Sequence, residues 1–412
     1  MTRRSLADWL GFIERQHPGT IALGLERVNR VLARLDAAIA CPIFTVGGTN
    51  GKGSTCAMIE SILHAAGFRT GLYSSPHLVR YNERVRIGCR EAEDAALAEA
   101  FAAVEAARAG VPLTYFEFGT LAAAWLFARE RPDAVVLEVG LGGRLDAVNA
   151  FDADCAVLTS VGIDHVELLG ATREQIGREK AGIFRPGRPA VVAEPEPPRT
   201  VLAAEARLLL IGRDFGYASE GVQWSYWGPA GKRAGLAHPA LRGAVQLRNA
   251  AAALAALDAL RERLPVAMQD VRHGLAEAAL PGRFQVLPGR PQIVLDVAHN
   301  PEAATVLAQN IAASGFAPET IAVFGMLRDK DIAGVVRSVA ARFTRWHVAT
   351  LPEPRGASAA ELARALREAG VTAPVREHEN PAAALAAARG EAGENDKIVV
   401  FGSFLTVAGA HG

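Results

Sequence analysis

Cysteine is scarce in this chain. Four occur, at Cys41, Cys56, Cys89 and Cys155, with no CxxC pair and no histidines at ligand spacing, which excludes a disulfide framework and a zinc knuckle. Reduced thiols fit the cytoplasm. An excess of charge of one sign is also missing: 44 Lys and Arg balance 44 Asp and Glu, so the basic surplus of a nucleic-acid-binding surface is absent. No apolar run approaches the roughly 20 residues that span a bilayer, and the N-terminal stretch MTRRSLADWLGFIERQH lacks the apolar centre of a signal peptide. The expectation is a cytoplasmic, monomeric protein with neither nucleic-acid nor membrane partners.

What is present is ample core-forming material, since 50% of the 412 residues are hydrophobic, and a length that predicts two domains. Short β-branched runs recur, each followed by glycine or polar residues and then a longer Ala/Leu/Glu/Arg stretch, which is the alternation of buried parallel strands with helices. The predicted strands are Ile43–Val46, Ala134–Val139, Cys155–Ser160, Ala190–Ala193, Ile293–Val297, Ile321–Phe324 and Ile398–Phe401. Helices are predicted over Ala92–Ala109, Asn249–Arg261 and Ala382–Arg389, where alanine dominates. The fold class is therefore α/β. Pro and Gly punctuate Leu280–Pro291, which sets the expected domains at 1–285 and 286–412. Residues 213–240, with Tyr217, Trp224, Tyr226 and Trp227 among glycines, predict a hairpin-like excursion.

One segment carries recognisable chemistry. The strand Ile43–Val46 runs into Gly47-Gly-Thr-Asn-Gly-Lys-Gly-Ser-Thr55 and then into Cys56–His64, whose apolar positions recur with helical period. Glycines let successive N–H groups converge on phosphate oxygens, a helix N-terminus adds a favourable dipole, Lys52 supplies a cation, and Ser54 or Thr55 offers a hydroxyl to a metal or phosphate. The strict GxxxxGK[ST] spacing is not met, because Val46 stands at its first position and Gly53 follows the lysine. That departure argues against an ordinary kinase or GTPase loop.

Spelled Gly48-Thr-Asn-Gly-Lys-Gly-Ser54, the loop resembles that of the Mur ligase superfamily. Tyr73–Val85, Leu113–Thr120, Leu137–Asp146, Ile163–His165, Gly177–Ile183, Leu280–Phe284, Asp296–Asn300, Gly325–Asp331 and Gly402–Phe404 narrow the resemblance to the folylpolyglutamate synthase family, and within it to the bacterial bifunctional dihydrofolate synthases/folylpolyglutamate synthases. It spans nearly the whole chain. The fold it implies is a P-loop-type, mostly parallel sheet flanked by helices, followed by a smaller Rossmann-like α/β domain with the glutamate-ligase role. The implied activity is that of a carbon–nitrogen ligase, joining L-glutamate to dihydropteroate or to reduced folates such as tetrahydrofolate through an acyl phosphate made with ATP.

Moving a phosphoryl group onto a carboxylate brings two anions together, so cations and their ligands are needed. Glu138 closes an apolar strand, where a capping carboxylate is an equal alternative to a ligand; His165 ends another, in Val161-Gly-Ile-Asp-His, where a structural hydrogen-bonder is the ordinary reading. The resemblance implies Ser75, Glu138 and His165 as metal ligands, with two magnesium ions. Lys180 is by default a solvated helix lysine, and the resemblance implies a carbamylated, catalytic one beside Lys52 and His165. For ATP it implies Thr49, Asn50, Gly51, Lys52, Gly53, Ser54, Asn249, Arg283 and Asp296, although Asn249 also reads as a helix cap. Arg283, at the expected domain junction, would stabilise phosphate charge on closure.

For the pterin the resemblance implies the segments Thr20–Arg27, Thr114–Glu117 and Leu145–Ala147, and for pterin and glutamate the residues Thr20, Leu23, Ser74, Thr114, Phe116, Glu117, Leu145, Asp146, Ala147, His299 and Ser403. The bacterial bifunctional pattern often has an acidic residue where Ala22 stands; its replacement either weakens dihydropteroate binding, leaving folylpolyglutamate synthesis alone, or shifts a hydrogen bond to Asp146. Another Mur-type amino-acid ligase, acting on a nucleotide-linked sugar, is the nearest rival, and the 47 residues before Gly48 leave little room for the extra domain it would carry.

Overall fold

Every residue of β1 (Ile43–Gly47) is buried, as its unbroken apolar run predicts for a strand covered on both faces. In the computed structural model, which describes residues 4–17, 21–352 and 354–410, β1 lies inside an eight-stranded sheet. The others are β2 (Thr70–Tyr73), β3 (Val85–Ile87), β4 (Arg90–Glu91), β5 (Ala134–Glu138), β6 (Cys155–Leu158), β7 (Pro189–Val192) and β8 (Arg207–Leu210), in the order β4-β3-β2-β5-β1-β6-β7-β8. Strands from β2 to β8 are parallel; β3 and β4 add antiparallel at one edge. Alternate side chains feed two cores. Ile43, Val135, Leu137, Leu158 and Val192 join Phe101, Phe118 and Phe127 from helices Asp94–Arg108 and Tyr115–Glu130, while helix Lys52–Ala65 packs on β1, β2 and β5.

The chain leaves β1 for β2 by crossing β5, and leaves β5 for β6 by crossing β1. Strand order thus reverses around β1, and the loops after β1, β5 and β6 open side by side at the carboxyl ends of the sheet, where open α/β sheets place ligands.

Contacts divide the chain into one unit of Met1–Ala240 with Leu247–Ala279 and another of Leu241–Gln246 with Leu280–Gly412. The second begins a few residues before the expected 286 because Phe284 joins its core and β12 (Gln285–Leu287) pairs antiparallel with β13 (Gln292–Leu295). With β14 (Thr320–Phe324), β15 (Arg345–Ala349), β16 (Val375–His378) and β17 (Lys397–Phe401) they form a sheet ordered β12-β13-β17-β14-β15-β16, parallel from β13 onward. Phe324, Phe343, Trp346 and Phe401 interlock at its centre.

Two expectations are corrected. Residues 213–240 form three strands, Gly216–Glu220, Gln223–Gly228 and Gly231–Ala237, in one antiparallel sheet. Its Tyr226 hydroxyl donates to Asp258 at 2.7 Å and its Arg233 pairs with Asp258 at 2.8 Å, tying the excursion to helix Val245–Ala259. That helix starts four residues before Asn249, so Asn249 is not a helix cap.

Helix Met268–Glu277 crosses helix Lys52–Ala65 at Gly274, where an added Cβ would meet the Ile62 Cα at 2.4 Å and its nitrogen at 2.6 Å. Backbone cannot retreat as a side chain can. Gly274→Ala should therefore lower stability by ~1–3 kcal/mol in urea unfolding; an unchanged midpoint would contradict this close approach.

Candidate active site

The loop after β1 is held open by hydrogen bonds to the loop after β6. Thr49 N–H donates to the Ser160 carbonyl at 2.9 Å, Asn50 N–H to the Ser160 hydroxyl at 2.9 Å, and the Thr159 hydroxyl to the Asn50 carbonyl at 2.7 Å. The Thr49 hydroxyl accepts from Gly162 N–H at 2.9 Å. Lys52 folds over the loop, its Nζ donating to the carbonyls of Gly48 and Thr49 at 3.0 and 3.3 Å.

Gly48 and Gly51 both take positive φ and both are crowded. A Cβ on Gly48 would lie 1.9 Å from Thr159 Oγ1, and one on Gly51 2.6 Å from Asn249 Oδ1. Asn249 is thereby placed against the phosphate-binding loop. Gly51 caps helix Lys52–Ala65 without a side-chain hydrogen bond, so the first N–H groups of that helix face the loop, a ready anion site. Gly53 and Ser54 sit buried in its first turn, and the Thr55 hydroxyl turns back to the Gly51 carbonyl at 3.0 Å. Ser54 is thus the hydroxyl at the loop.

Charged groups gather around Lys52. Glu138, at the end of β5 and 4% exposed, accepts from Ser75 N–H at 3.2 Å, and both Glu138 and Lys52 act on the buried Cys56 thiol, which burial above all pushes up. Lys180 is 3% exposed, overturning the solvated-lysine reading. Burial, then the charge of Lys52, lowers it to about 7, against the pull of Asp164 and Asp146. Burial raises the Asp146 carboxyl to about 7, although it accepts from Leu141 and Val148 N–H groups and lies near Lys52.

His165 does not end a strand as expected: β6 stops at Leu158, and His165 lies beyond it in the left-handed region, φ 52°, before the short helix Val166–Leu169. Its N–H donates to Asp164 at 2.8 Å. Sequence reasoning missed the two hydroxyls that set this loop, Thr159 and Ser160. Their signal was a polar pair directly after the apolar Cys155–Leu158.

Among the described residues no group of three or more His, Cys, Asp or Glu side chains is arranged to hold a metal ion. The Glu138 carboxylate and the Ser75 hydroxyl are nevertheless oxygen donors of the kind magnesium takes, a hard ion that uses one or two protein carboxylates and draws its other ligands from nucleotide phosphates and water, and Ser75 N–H holds one Glu138 oxygen at 3.2 Å; His165 offers a nitrogen donor.

The expected pterin segments also meet. Gly24 N–H donates to the Leu145 carbonyl at 3.1 Å, and Arg27 pairs with Glu117 at 2.7 Å. Thr114 and Glu117 cap helix Tyr115–Glu130 reciprocally. The Phe116 ring lies 2.7 Å from where a Gly140 Cβ would be, Ala147 opens a short 3-10 helix capped by Asp146, Leu23 is half-buried, and Ser74 N–H donates to the Arg84 carbonyl at 2.9 Å. Thr20 lies outside the described residues.

In the second unit the ends of neighbouring β13 and β17 bring four expected residues together. Asp296 accepts from Phe284 and Ala298 N–H groups at 2.9 and 2.8 Å; burial raises its carboxyl against the nearby Arg283. Arg283 lies over the Phe404 ring at 5.0 Å, and His299 is 6.5 Å from the same ring. His299 Nδ1 is 2.9 Å from the Val297 carbonyl, which can only accept, so Nδ1 carries the proton. Ser403 accepts from Thr406 N–H at 3.0 Å as the cap of helix Phe404–Gly409.

Lys180 generates a pH prediction. Its folded pKa, about 7, lies below the ordinary lysine value of 10.5, so the unfolded chain binds more protons between those values and stability rises with pH across that window. In bicarbonate-free buffer, Lys180→Met should flatten the slope of unfolding free energy between pH 7 and 10; an unaltered slope would refute the burial of a titrating amine.

Comparisons with known proteins agree with this geometry. The Mur ligase middle domain matches residues 46–257, and the Mur ligase glutamate ligase domain matches 282–404. The chain is 47% identical to the dihydrofolate synthase/folylpolyglutamate synthase of Escherichia coli K12 over 408 residues, covering 98% of this chain and 94% of that one. The structure of E. coli FolC in complex with DHPP and ADP superposes with a TM-score of 0.93 at 46% identity, covering 98% and 96%. A bifunctional folylpolyglutamate synthase/dihydrofolate synthase with Mn, AMPPNP and L-glutamate bound gives 0.90 at 46%, covering 98% and 97%. A nucleotide-type loop laced to the neighbouring strand end, in a chain alike over nearly its full length, means that this chain belongs to the Mur ligases and, within them, to the dihydrofolate synthase/folylpolyglutamate synthase family.

Proposed function

We propose that the chain is an ATP-dependent acid–amino-acid ligase that adds L-glutamate to dihydropteroate, forming dihydrofolate, and to reduced folates such as tetrahydrofolate, forming folylpolyglutamates. One observation carries the reading: the carboxyl ends of β5, β1 and β6 with the segments that follow them, and helix Arg173–Ala181, gather Glu138, Asp146, Lys52, Asp164 and Lys180 around an anion-binding helix N-terminus. That is what joining a polyphosphate to a carboxylate demands. The relatives' bound ADP, AMPPNP, DHPP and L-glutamate support these substrates.

In this reading Thr49 to Ser54 and Asn249 hold the ATP phosphates, and Arg283 and Asp296 are likewise assigned to ATP. A carboxylate oxygen of the pterin substrate attacks the γ-phosphorus, the bond to the β-phosphate oxygen breaks, and ADP leaves. Lys52 stabilises the charge that develops. The glutamate amine then attacks the acyl carbon, loses a proton, and inorganic phosphate departs. His299 and Ser403 are assigned to glutamate, and Leu23, Ser74, Thr114, Phe116, Glu117, Leu145, Asp146 and Ala147 to the pterin side.

A divalent ion, magnesium by assignment and two ions in the full site, would be held by Ser75, Glu138 and His165 and would neutralise phosphate charge. The Mn in related structures supports one. An amine at about 7 supports carbamylation of Lys180, because only a neutral amine attacks carbon dioxide; the product would carry a carboxylate toward the metal. The free cysteines suit a reducing cytoplasm, and we take the single chain as the active form.

The deciding assay supplies ATP, magnesium and L-glutamate with either dihydropteroate or tetrahydrofolate and identifies products by mass. A one-glutamate increment on both is expected; an increment on tetrahydrofolate alone restricts the enzyme to folylpolyglutamate synthesis, and none on either rejects the reading. Lys52→Ala should reduce kcat by at least about a hundredfold with an unchanged melting temperature, and full activity would remove Lys52 from the reaction. His165→Ala should raise the magnesium concentration needed for half-maximal rate; an unmoved metal titration would refute its role as ligand.

A further inference from the structure

The segment 21–25 has no strand or helix to shape it, yet it is expected to line the pterin site. Its order must come from side-chain anchors. One residue supplies the anchor at Ala22. Arg27, in the first turn of helix Glu26–Leu32, turns back so that its Nη2 donates to the Ala22 carbonyl at 2.7 Å. The same guanidinium grips Glu117 with Nε at 3.1 and 3.2 Å from the two carboxylate oxygens and Nη2 at 2.7 Å from Oε1.

Glu117 is 3% exposed and also accepts from Thr114 N–H at 2.8 Å, so its charge is answered within the protein rather than by solvent. Two residues beyond Ala22, Gly24 N–H is fixed to the Leu145 carbonyl at 3.1 Å, next to the buried Asp146. Segments 21–25 and 114–117 therefore meet through one cation, and 145–147 joins them through the Gly24 N–H. A guanidinium is suited to this because its planar fork serves a carboxylate and a carbonyl at once, where an ammonium is a point charge without that fork.

We propose that Arg27 is a positioning residue for pterin recognition: by joining the Ala22 carbonyl to Glu117 it sets the backbone of segment 21–25 against the start of helix Tyr115–Glu130. The inference rests on the assignment of these segments to the pterin under Proposed function. It goes beyond that assignment because it gives Arg27 a role exercised through Ala22 and Glu117. It also accounts for Ala22: what the clamp uses at that position is the main-chain carbonyl, which any side chain leaves in place.

The test measures dihydropteroate binding and, separately, ADP binding to wild type and R27K at equal magnesium, with melting temperatures recorded. Lysine keeps the charge and loses the fork. Dihydropteroate affinity should fall about tenfold, with ADP affinity within about twofold, and in turnover the KM for the pterin should rise while kcat is retained. Equal dihydropteroate affinity in R27K overturns the proposal, as does an equal loss for both ligands. If R27K does not fold, R27Q, whose shorter planar amide keeps donors but cannot grip the carboxylate and the carbonyl together, is read by the same criteria. A wild-type protein that binds ADP but no dihydropteroate and no tetrahydrofolate refutes the pterin assignment itself and the clamp with it, an outcome distinct from wild-type and R27K binding alike.

Discussion

Phosphoryl transfer to a carboxylate sets two anions against each other, and the arrangement in the larger unit answers that repulsion. Its means are mostly backbone. The loop from Gly47 to Ser54 is held in shape by Thr159, Ser160 and Gly162, so its N–H groups need no reorganisation when charge arrives. The connection from β1 passes over β5 and the one from β5 passes over β1, in opposite directions along the sheet, so the loops after β1, β5 and β6 open side by side at its carboxyl end. Glu138 and Asp164 reach the neighbourhood of Lys52 for that reason.

Such a site is not arranged for stability. Lys180 and Asp146 are charged groups with almost no water around them, and burial moves both toward neutrality near pH 7. Titratable groups displaced from their usual ranges in a concave polar site mark function more often than structure. By contrast the buried Arg233, Asp258 and Tyr226 group joins a three-stranded sheet to a helix and has no part in the chemistry assigned here. The difference is that one cluster surrounds an anion-binding loop and the other answers its own charges.

Much of this was legible in the sequence because the core strands are apolar on both faces. Ile43–Gly47, Ala134–Glu138, Cys155–Leu158 and Lys397–Phe401 are buried throughout, whereas Thr70–Tyr73, equally buried, escaped because Thr and Gly break its short apolar run. Strands carrying polar or charged residues escaped: Arg90–Glu91 and Val375–His378 are edge strands with exposed side chains, and Arg345–Ala349 hides His347 in a parallel neighbourhood. The helix containing Asn249 began earlier than its alanines suggested, because Val245–Arg248 precedes them in helical conformation.

At the site, residue types were readable while environments were not. Lys180 read as a solvated lysine because depth depends on how helix Arg173–Ala181 docks, which no local pattern encodes. Arg27 sat inside a quoted segment without a role, since its partners Glu117 and Ala22 lie 90 and 5 residues away. Only the tertiary fold makes it a hub. The account's central claim is that the charge gathered at this strand edge serves direct transfer of phosphate to a carboxylate. The measurement that tests it most directly uses a pterin substrate whose carboxylate carries oxygen-18: one labelled oxygen should appear in the released inorganic phosphate, and unlabelled phosphate formed alongside the amide product would contradict it.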